Sequence, residues 1–414
     1  MERKTLVLVA CGKELYRKYL LEQIASEYHV WLISTDEVTW QKPLIQGSIK
    51  VSDYAFDAIV TAVDNLKKDF PVHGLICWDE RFIMVTADVA GHFGLASAGK
   101  EGIRGCRDKS LSRQRLSEAG LLQPKSRLCH TLAEAQAFAD AIRYPLVVKP
   151  RGMGGSIGVA LVKNPQELIL RFNEADAVSH QGAADFQNGA VLEEYIDGPE
   201  ISVDGKIIDG CYQPMFVARK RIGLEPHFEE LGHTLSYNDP LLSDENLLTV
   251  LASAHQAIEF KNGVTHTELK ITPKGFLIIE INGRLGGDLI PWLATLAMGI
   301  APGLIAGRIA CGDPVDAVVP KKNLNAAISF KYPEFDMTVD GVTLPAPEIT
   351  RDAQTYCVQL AYPGDKLALP PSGYVARAAY SLSVFNESVE GDRLCRQLLE
   401  AVTVTGSPLT EPVL

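Results

Sequence analysis

Along the first hundred residues the hydrophobic pattern switches between two periods. Leu6-Val7-Leu8-Val9-Ala10 is a short unbroken apolar run that predicts a buried strand, and His29–Ser34 and Gly74–Trp78 read the same way. Between and after them, residues 13–27, 56–68 and 81–93 carry apolar side chains at helical spacing. Strands alternating with helices through short connections predict a parallel, doubly wound α/β layer.

Residues 100–125 turn basic and helical, with Arg104, Arg107, Lys109, Arg113 and Arg115 ahead of Gly120, and read as a connecting segment. A second unit follows: helix 132–142, strand Pro145–Lys149, a glycine-rich turn at 152–158, strand Val159–Val162, helix 165–174 and strand Ala190–Tyr195. From 200 to about 315 strands dominate, ahead of a helix over 289–310. The tail is rich in Pro, Val and Tyr and predicts hairpins around Pro363-Gly364-Asp365 and Pro371-Ser372-Gly373. The expected class is α/β, with an α+β central part. Its expected division is an N-terminal α/β domain (1–100), linker helices (101–127), a small subdomain with the glycine-rich loop (128–200) and a large subdomain with a β-rich C-terminal segment (201–414).

The 414 residues, 46% hydrophobic and 22% charged, suffice for two or three domains with substantial cores. A net charge of −11 argues against general attraction to nucleic acid or an anionic membrane, so a bound phosphate needs a local cluster of cations. No stretch reaches the ~18 apolar residues of a membrane span, and the apolar run at 6–10 is too brief for a signal peptide. The cysteines (Cys11, Cys77, Cys106, Cys129, Cys211, Cys311, Cys357, Cys395) lie far apart without zinc-type spacing, which predicts cytosolic thiols and a cytoplasmic protein. Small molecules are the expected partners, and a homodimer is the expected assembly.

The candidate chemistry begins at Lys149-Pro150-Arg151-Gly152-Met153-Gly154-Gly155-Ser156-Ile157-Gly158, directly after the apolar Leu146-Val147-Val148. Four glycines and a serine between two strands make either a plain hairpin loop or a loop whose N–H groups approach phosphate oxygens without Cβ obstruction. It is neither a Walker loop, having no terminal Gly-Lys-Ser/Thr, nor the dinucleotide fingerprint, since a strand follows. Lys149, closing an apolar strand beside this loop, must reach water or find an anion.

The segment from Thr265 to Asn282 predicts a β-hairpin. With Pro273-Lys274-Gly275 as its loop, Thr272 faces Phe276, Glu268 faces Glu280 and His266 faces Asn282. Leu269, Ile271, Leu277, Ile279 and Ile281 then form a core face, and His266, Glu268, Lys270, Glu280 and Asn282 the other. Two opposed carboxylates repel unless a cation lies between them. Magnesium, which takes carboxylate and phosphate oxygens, meets that need; a solvated face with Lys270 neutralising one glutamate is the alternative. Arg284-Leu285-Gly286-Gly287 places an arginine and two backbone amides beyond the hairpin, where an anionic intermediate would need donors. Val191–Glu200 ends a strand in acids and a turn, and its edge can offer backbone groups to a base.

Taken in order, Lys109, Lys149, the glycine loop, Glu193 to Glu200, Glu268, Glu280, Asn282 and Arg284 resemble the ATP-grasp superfamily over about 100–310. The likeness implies ATP and one or two magnesium ions. Lys109 and Lys149 with Gly154, Gly155 and Ser156 would hold the phosphates; Glu193, Glu194, Tyr195 and Ile196 the adenine; and Glu200 the ribose. Glu268, Glu280 and Asn282 would bind metal, and Arg284 with Gly286 and Gly287 would steady the reacting group. A narrower resemblance, to the L-amino-acid ligases that make dipeptides for antibiotic biosynthesis, rests on Glu193–Glu200, Glu229-Glu230-Leu231-Gly232-His233, Thr265–Glu268 and Glu280–Asp288. It implies an ADP-forming carbon–nitrogen ligase with Glu80, His233, His266 and Arg284 at the substrates. Glu80 equally suits the start of a helix, and either histidine a satisfied core or surface position. The same superfamily also activates bicarbonate or formate, or passes an acyl group to a carrier thiol. Against bicarbonate, Arg284-Leu285-Gly286-Gly287-Asp288-Leu289 departs from the Arg-x-Gln-Val-Glu-His of biotin carboxylases. A nucleotide-sensing protein without turnover would lack a metal ligand, and none is missing.

Overall fold

The structure, a computed structural model of the chain, describes residues 3–387 and 389–409. Its first layer holds β1 (Thr5–Val9), α1 (Glu14–Ala25), β2 (His29–Ser34), β3 (Gly47–Lys50), α2 (Phe56–Leu66), β4 (Gly74–Ile76) and α3 (Ile83–His92). The strands form a four-stranded parallel sheet in the order β3-β2-β1-β4. β1 lies between two neighbours and is buried along its whole length, as a central parallel strand requires. β3 went unread because Gly-Ser-Ile-Lys is short, polar and half exposed at the sheet edge.

α4 (Lys100–Arg107) and α5 (Lys109–Glu118) lead to a small unit of β5 (Ser126–Cys129), α6 (Leu132–Ile142), β6 (Leu146–Pro150), β7 (Ala160–Val162), α7 (Pro165–Ser179) and β8 (Ala190–Glu194). Its four strands run in the order β5-β8-β6-β7 and are antiparallel. The apolar side chains of α6 and α7 bury against one face of this sheet.

The remainder contributes β9 (Glu200–Ile208), β10 (Cys211–Gly223), β11 (Glu229–Ser236), α8 (Glu245–Ala257), β12 (Gly263–Thr272), β13 (Gly275–Asn282), α9 (Ile290–Met298) and α10 (Pro302–Ala310). Then follow β14 (Asn325–Lys331), β15 (Met337–Thr343), β16 (Glu348–Ile349), β17 (Ala353–Gln359), β18 (Lys366–Leu367), β19 (Ala379–Phe385), α11 (Gly391–Glu400) and β20 (Thr403–Pro408). A nine-stranded sheet runs β13-β12-β9-β10-β11-β14-β19-β17-β16, and β18-β15-β20 form a separate small sheet. One large core joins α1 of the first layer to α9, α10 and the nine-stranded sheet.

Three expectations need correction. The single helix over 289–310 is two, meeting at 108°, because Gly299 adopts φ 69° after α9 and Pro302 then opens α10. No single helix among the described residues is long and apolar enough to cross a membrane. In the tail, turns do form at Tyr362–Asp365 and Leu369–Gly373, yet neither is a hairpin. β17 pairs with β19 instead, and both turns lie on the long crossover between those two strands.

The β12–β13 hairpin also turns more tightly than expected: Thr272 pairs with Gly275, leaving Pro273-Lys274 as its loop. A bulge between Glu268 and Leu269 then restores the predicted pairs, Glu268 with Glu280 and His266 with Asn282. In consequence Ile278 joins the core with Leu269 and Ile281, while Ile279 turns to the opposite side.

Candidate functional site

Between the small sheet and the nine-stranded sheet lies a cleft of about 1260 Å³, part of it open to solvent. The small unit supplies Val147, Lys149, residues 153–156 of the glycine-rich loop and Glu193–Ile196. The large sheet supplies Glu200, Lys220, His266, Glu268, Lys270, Glu280 and Asn282, and the following loop adds Arg284, Gly287 and Asp288.

Lys109 reaches this cleft from the first turn of α5. Asp108 caps that helix by accepting from the N–H groups of Ser110 and Leu111, and its carboxylate also takes a bidentate pair from Arg151. The Lys109 ammonium then donates to the Met153 carbonyl and pairs with Glu280 at 2.9 Å. Lys149, on β6, is buried and pairs at 2.6 Å with Glu193 on β8, which Arg113 also grips through two nitrogens. Burial works against the charge of Glu193, but Arg113 and Lys149 hold its carboxyl down at about 2. Burial also draws the Lys149 ammonium below its ordinary range against the pull of Glu193.

Glu268 and Glu280 stand opposite one another, each with a cation of its own. Lys220, almost wholly buried on β10, lies 3.1 Å from Glu268, 2.7 Å from Glu200 and 2.8 Å from Glu230. Burial opposes its charge, and these three carboxylates together push its pKa well above normal. Lys270 pairs with Glu200 rather than with Glu268, so the neutralising lysine comes from a different strand than expected. His266 sits between Asp204, at 2.5 Å, and Glu268, at 3.4 Å. Burial would discharge the ring, but Asp204 and then Glu268 lift it to about 9.

Two expected site residues are engaged within the protein itself. The Gly286 amide is committed to Asp204 at 2.8 Å, which removes it as a free donor and corrects its expected place beside Gly287. Glu80 is held between Arg107 and Arg284. Burial would raise its pKa, but Arg284 and Arg107 keep it below the usual range. It therefore fixes Arg284 from behind, while the Gly154 backbone approaches its side chain. His233 is buried behind the cleft wall, its Nε2 3.2 Å from Glu230 and 3.6 Å from Asp288. Glu230, His233 and Asp288 bring possible ligand atoms within 4.8 Å of one another. Lys220 on Glu230 and Arg377 on Asp288 already supply the positive charge there.

Sequence reasoning missed Arg113, Asp204, Lys220, Asp288 and Arg377. Arg113 meets the Ile278 carbonyl 165 residues away, Asp204 meets His266 62 away and Arg377 meets Asp288 89 away, and no local spacing marks such pairs. Lys220 did carry one signal, a lysine between the buried Ala218 and the half-buried Ile222 on an extended strand.

Residues 142–291, which hold both the glycine-rich loop and the two opposed glutamates of this cleft, match the family model for the ATP-grasp domain. The chain is 27% identical over 306 residues to the uncharacterized protein y4rH of Sinorhizobium fredii, covering 72% of this chain and 62% of that protein, less than two thirds of its length. It is 23% identical over 353 residues to alanine–anticapsin ligase of Bacillus subtilis, covering 76% of this chain and 73% of the relative. The solved L-amino acid ligase of Bacillus licheniformis shares the fold with a TM-score of 0.79 at 20% identity, covering 98% of this chain and all of that one.

Proposed function

We propose that the chain is an ADP-forming ligase that joins a carboxylate, an amino acid or an N-acyl amino acid, to the amine of an amino acid through an acyl-phosphate. The observation that carries this reading is the pairing of Glu268 with Glu280 across β12–β13, facing the same cleft as Lys109, Lys149 and Arg284. The name of the Bacillus subtilis relative, alanine–anticapsin ligase, points to the same class of reaction.

Glu268, Glu280 and Asn282 form an all-oxygen donor set that fits one or two magnesium ions. Bound there, magnesium would neutralise charge on the phosphates as the phosphoryl group transfers. Lys109 and Lys149 would contact phosphate oxygens beneath the backbone of Gly154, Gly155 and Ser156. The strand end at Glu193–Ile196 would seat adenine, with the Glu193 side chain holding Lys149 in place and Glu200 reaching the ribose.

The substrate carboxylate attacks the γ-phosphorus, and ADP leaves. The amine then attacks the acyl carbon, Arg284 and the Gly287 amide donate to the oxyanion, and phosphate departs. Glu80 and His233 support this end from behind, Glu80 through Arg284 and His233 through Glu230 and Asp288. The glycine-rich loop keeps water from the acyl-phosphate.

The test is to supply ATP, magnesium and pairs of amino acids, reading phosphate release and product mass. A product equal to the sum of a pair less one water supports the reading. ADP formation that needs bicarbonate, formate or an acyl-accepting thiol overturns it, as does the absence of ADP with every pair.

A further inference from the structure

The crossover from β17 to β19 leaves the sheet after Gln359 and returns at Ala379, and near its end Val375 and Arg377 line the cleft. At the substrate end the buried Arg377 guanidinium makes two 2.7 Å bonds to Asp288 and lies 3.7 Å over the Phe330 ring. It also donates to the Tyr332 hydroxyl, which donates to Glu229 at 2.9 Å. Glu229 accepts as well from the Val375 N–H at 3.1 Å.

At the nucleotide end the Tyr374 ring stands edge-on to His227, 6.1 Å between centroids. His227 in turn lies against the residues that directly follow Gly158, the last glycine of the loop. His227 lies 3.3 Å from the Val159 carbonyl and bridges to Ala160, and the Leu161 N–H donates to the Pro226 carbonyl at 2.7 Å. Between the two anchors Val375 holds φ 57°, a left-handed conformation costly for a β-branched residue and sustained by the bonds on either side.

We propose that Tyr374 and Arg377 are positioning residues of a clasp that ties closure of the glycine-rich loop to the Asp288 wall of the cleft. The inference rests on the ligase reading in one respect, that a loosened clasp exposes the acyl-phosphate. Water then attacks the acyl carbon, the bond to the phosphate oxygen breaks, and free carboxylate, phosphate and a proton result, so ADP forms without ligated product.

Hydrogen exchange at residues 152–158 tests this in the full chain with magnesium and a non-hydrolysable ATP analogue, comparing the parent with Tyr374→Leu and Arg377→Lys. Tyr374→Leu removes the ring that stands against His227 from a half-buried position and leaves the fold in place. Exchange confined to the loop should rise about fivefold in both variants, and ADP formed per product should rise severalfold with the pair found by the screen. Unchanged loop exchange, or a rise spread evenly over the chain, overturns the clasp. If the parent makes no product from any pair, the ligase reading fails, and the exchange comparison still decides the clasp.

Discussion

Glu268 and Glu280 face each other across one hairpin, and each is met by its own lysine, Lys220 at 3.1 Å and Lys109 at 2.9 Å. The opposed carboxylates are therefore tolerable without a bound ion, and their closeness alone does not demand one. The case for magnesium rests on the donor set and its place beside Lys149 and Arg284.

Glu280→Gln should abolish ADP release while sparing the fold, since it removes a metal-facing charge from a half-buried position. Turnover assays beside thermal denaturation check this; normal ADP release would refute the assignment.

Lys220→Met should be the most destabilising single change in the cleft. It leaves Glu200, Glu230 and Glu268 facing one another without their shared cation, at a cost on the order of 3–5 kcal/mol. Denaturant titration should show the loss at neutral pH and a partial recovery on acidification, as those carboxylates protonate.

Glu193 gives a pH dependence with a definite sign. Its folded pKa is depressed from 4.5 to about 2, so its stabilisation is complete above about pH 4.5 and fades as pH falls towards 2. The parent should lose on the order of 3 kcal/mol over that window beyond any loss in Glu193→Gln, which starts less stable and is flatter there. Equal slopes in denaturation series across that range would contradict the buried Arg113–Glu193–Lys149 group.

Much of this was legible locally. The strands of the first layer, the hairpin and the pairing of Glu268 with Glu280 follow from apolar runs and a turn. The register survived a misjudged loop because the shorter turn and the bulge at Glu268/Leu269 offset one another. What could not be read is contact over distance: Lys220 meeting Glu268 across the sheet, Asp204 taking the Gly286 amide, and Arg377 arriving on a crossover that resembles two hairpins. Gly299 and Pro302 were visible signals of a helix break, outweighed by the apolar content on either side.

Gly286→Ala should loosen the His266 position. The added Cβ would lie 2.8 Å from His266 Nδ1 and 3.3 Å from Asp204, forcing the pair apart at a cost of roughly 1–3 kcal/mol. NMR of the imidazole should show it losing its raised pKa of about 9; an unchanged titration would contradict the packing.

The acyl-phosphate is tested most directly by oxygen transfer. With ATP, magnesium and amino acids labelled with ¹⁸O in the carboxylate, the phosphate released during ligation should carry one labelled oxygen. Ligated product accompanied by unlabelled phosphate, or by AMP and pyrophosphate, would contradict the account.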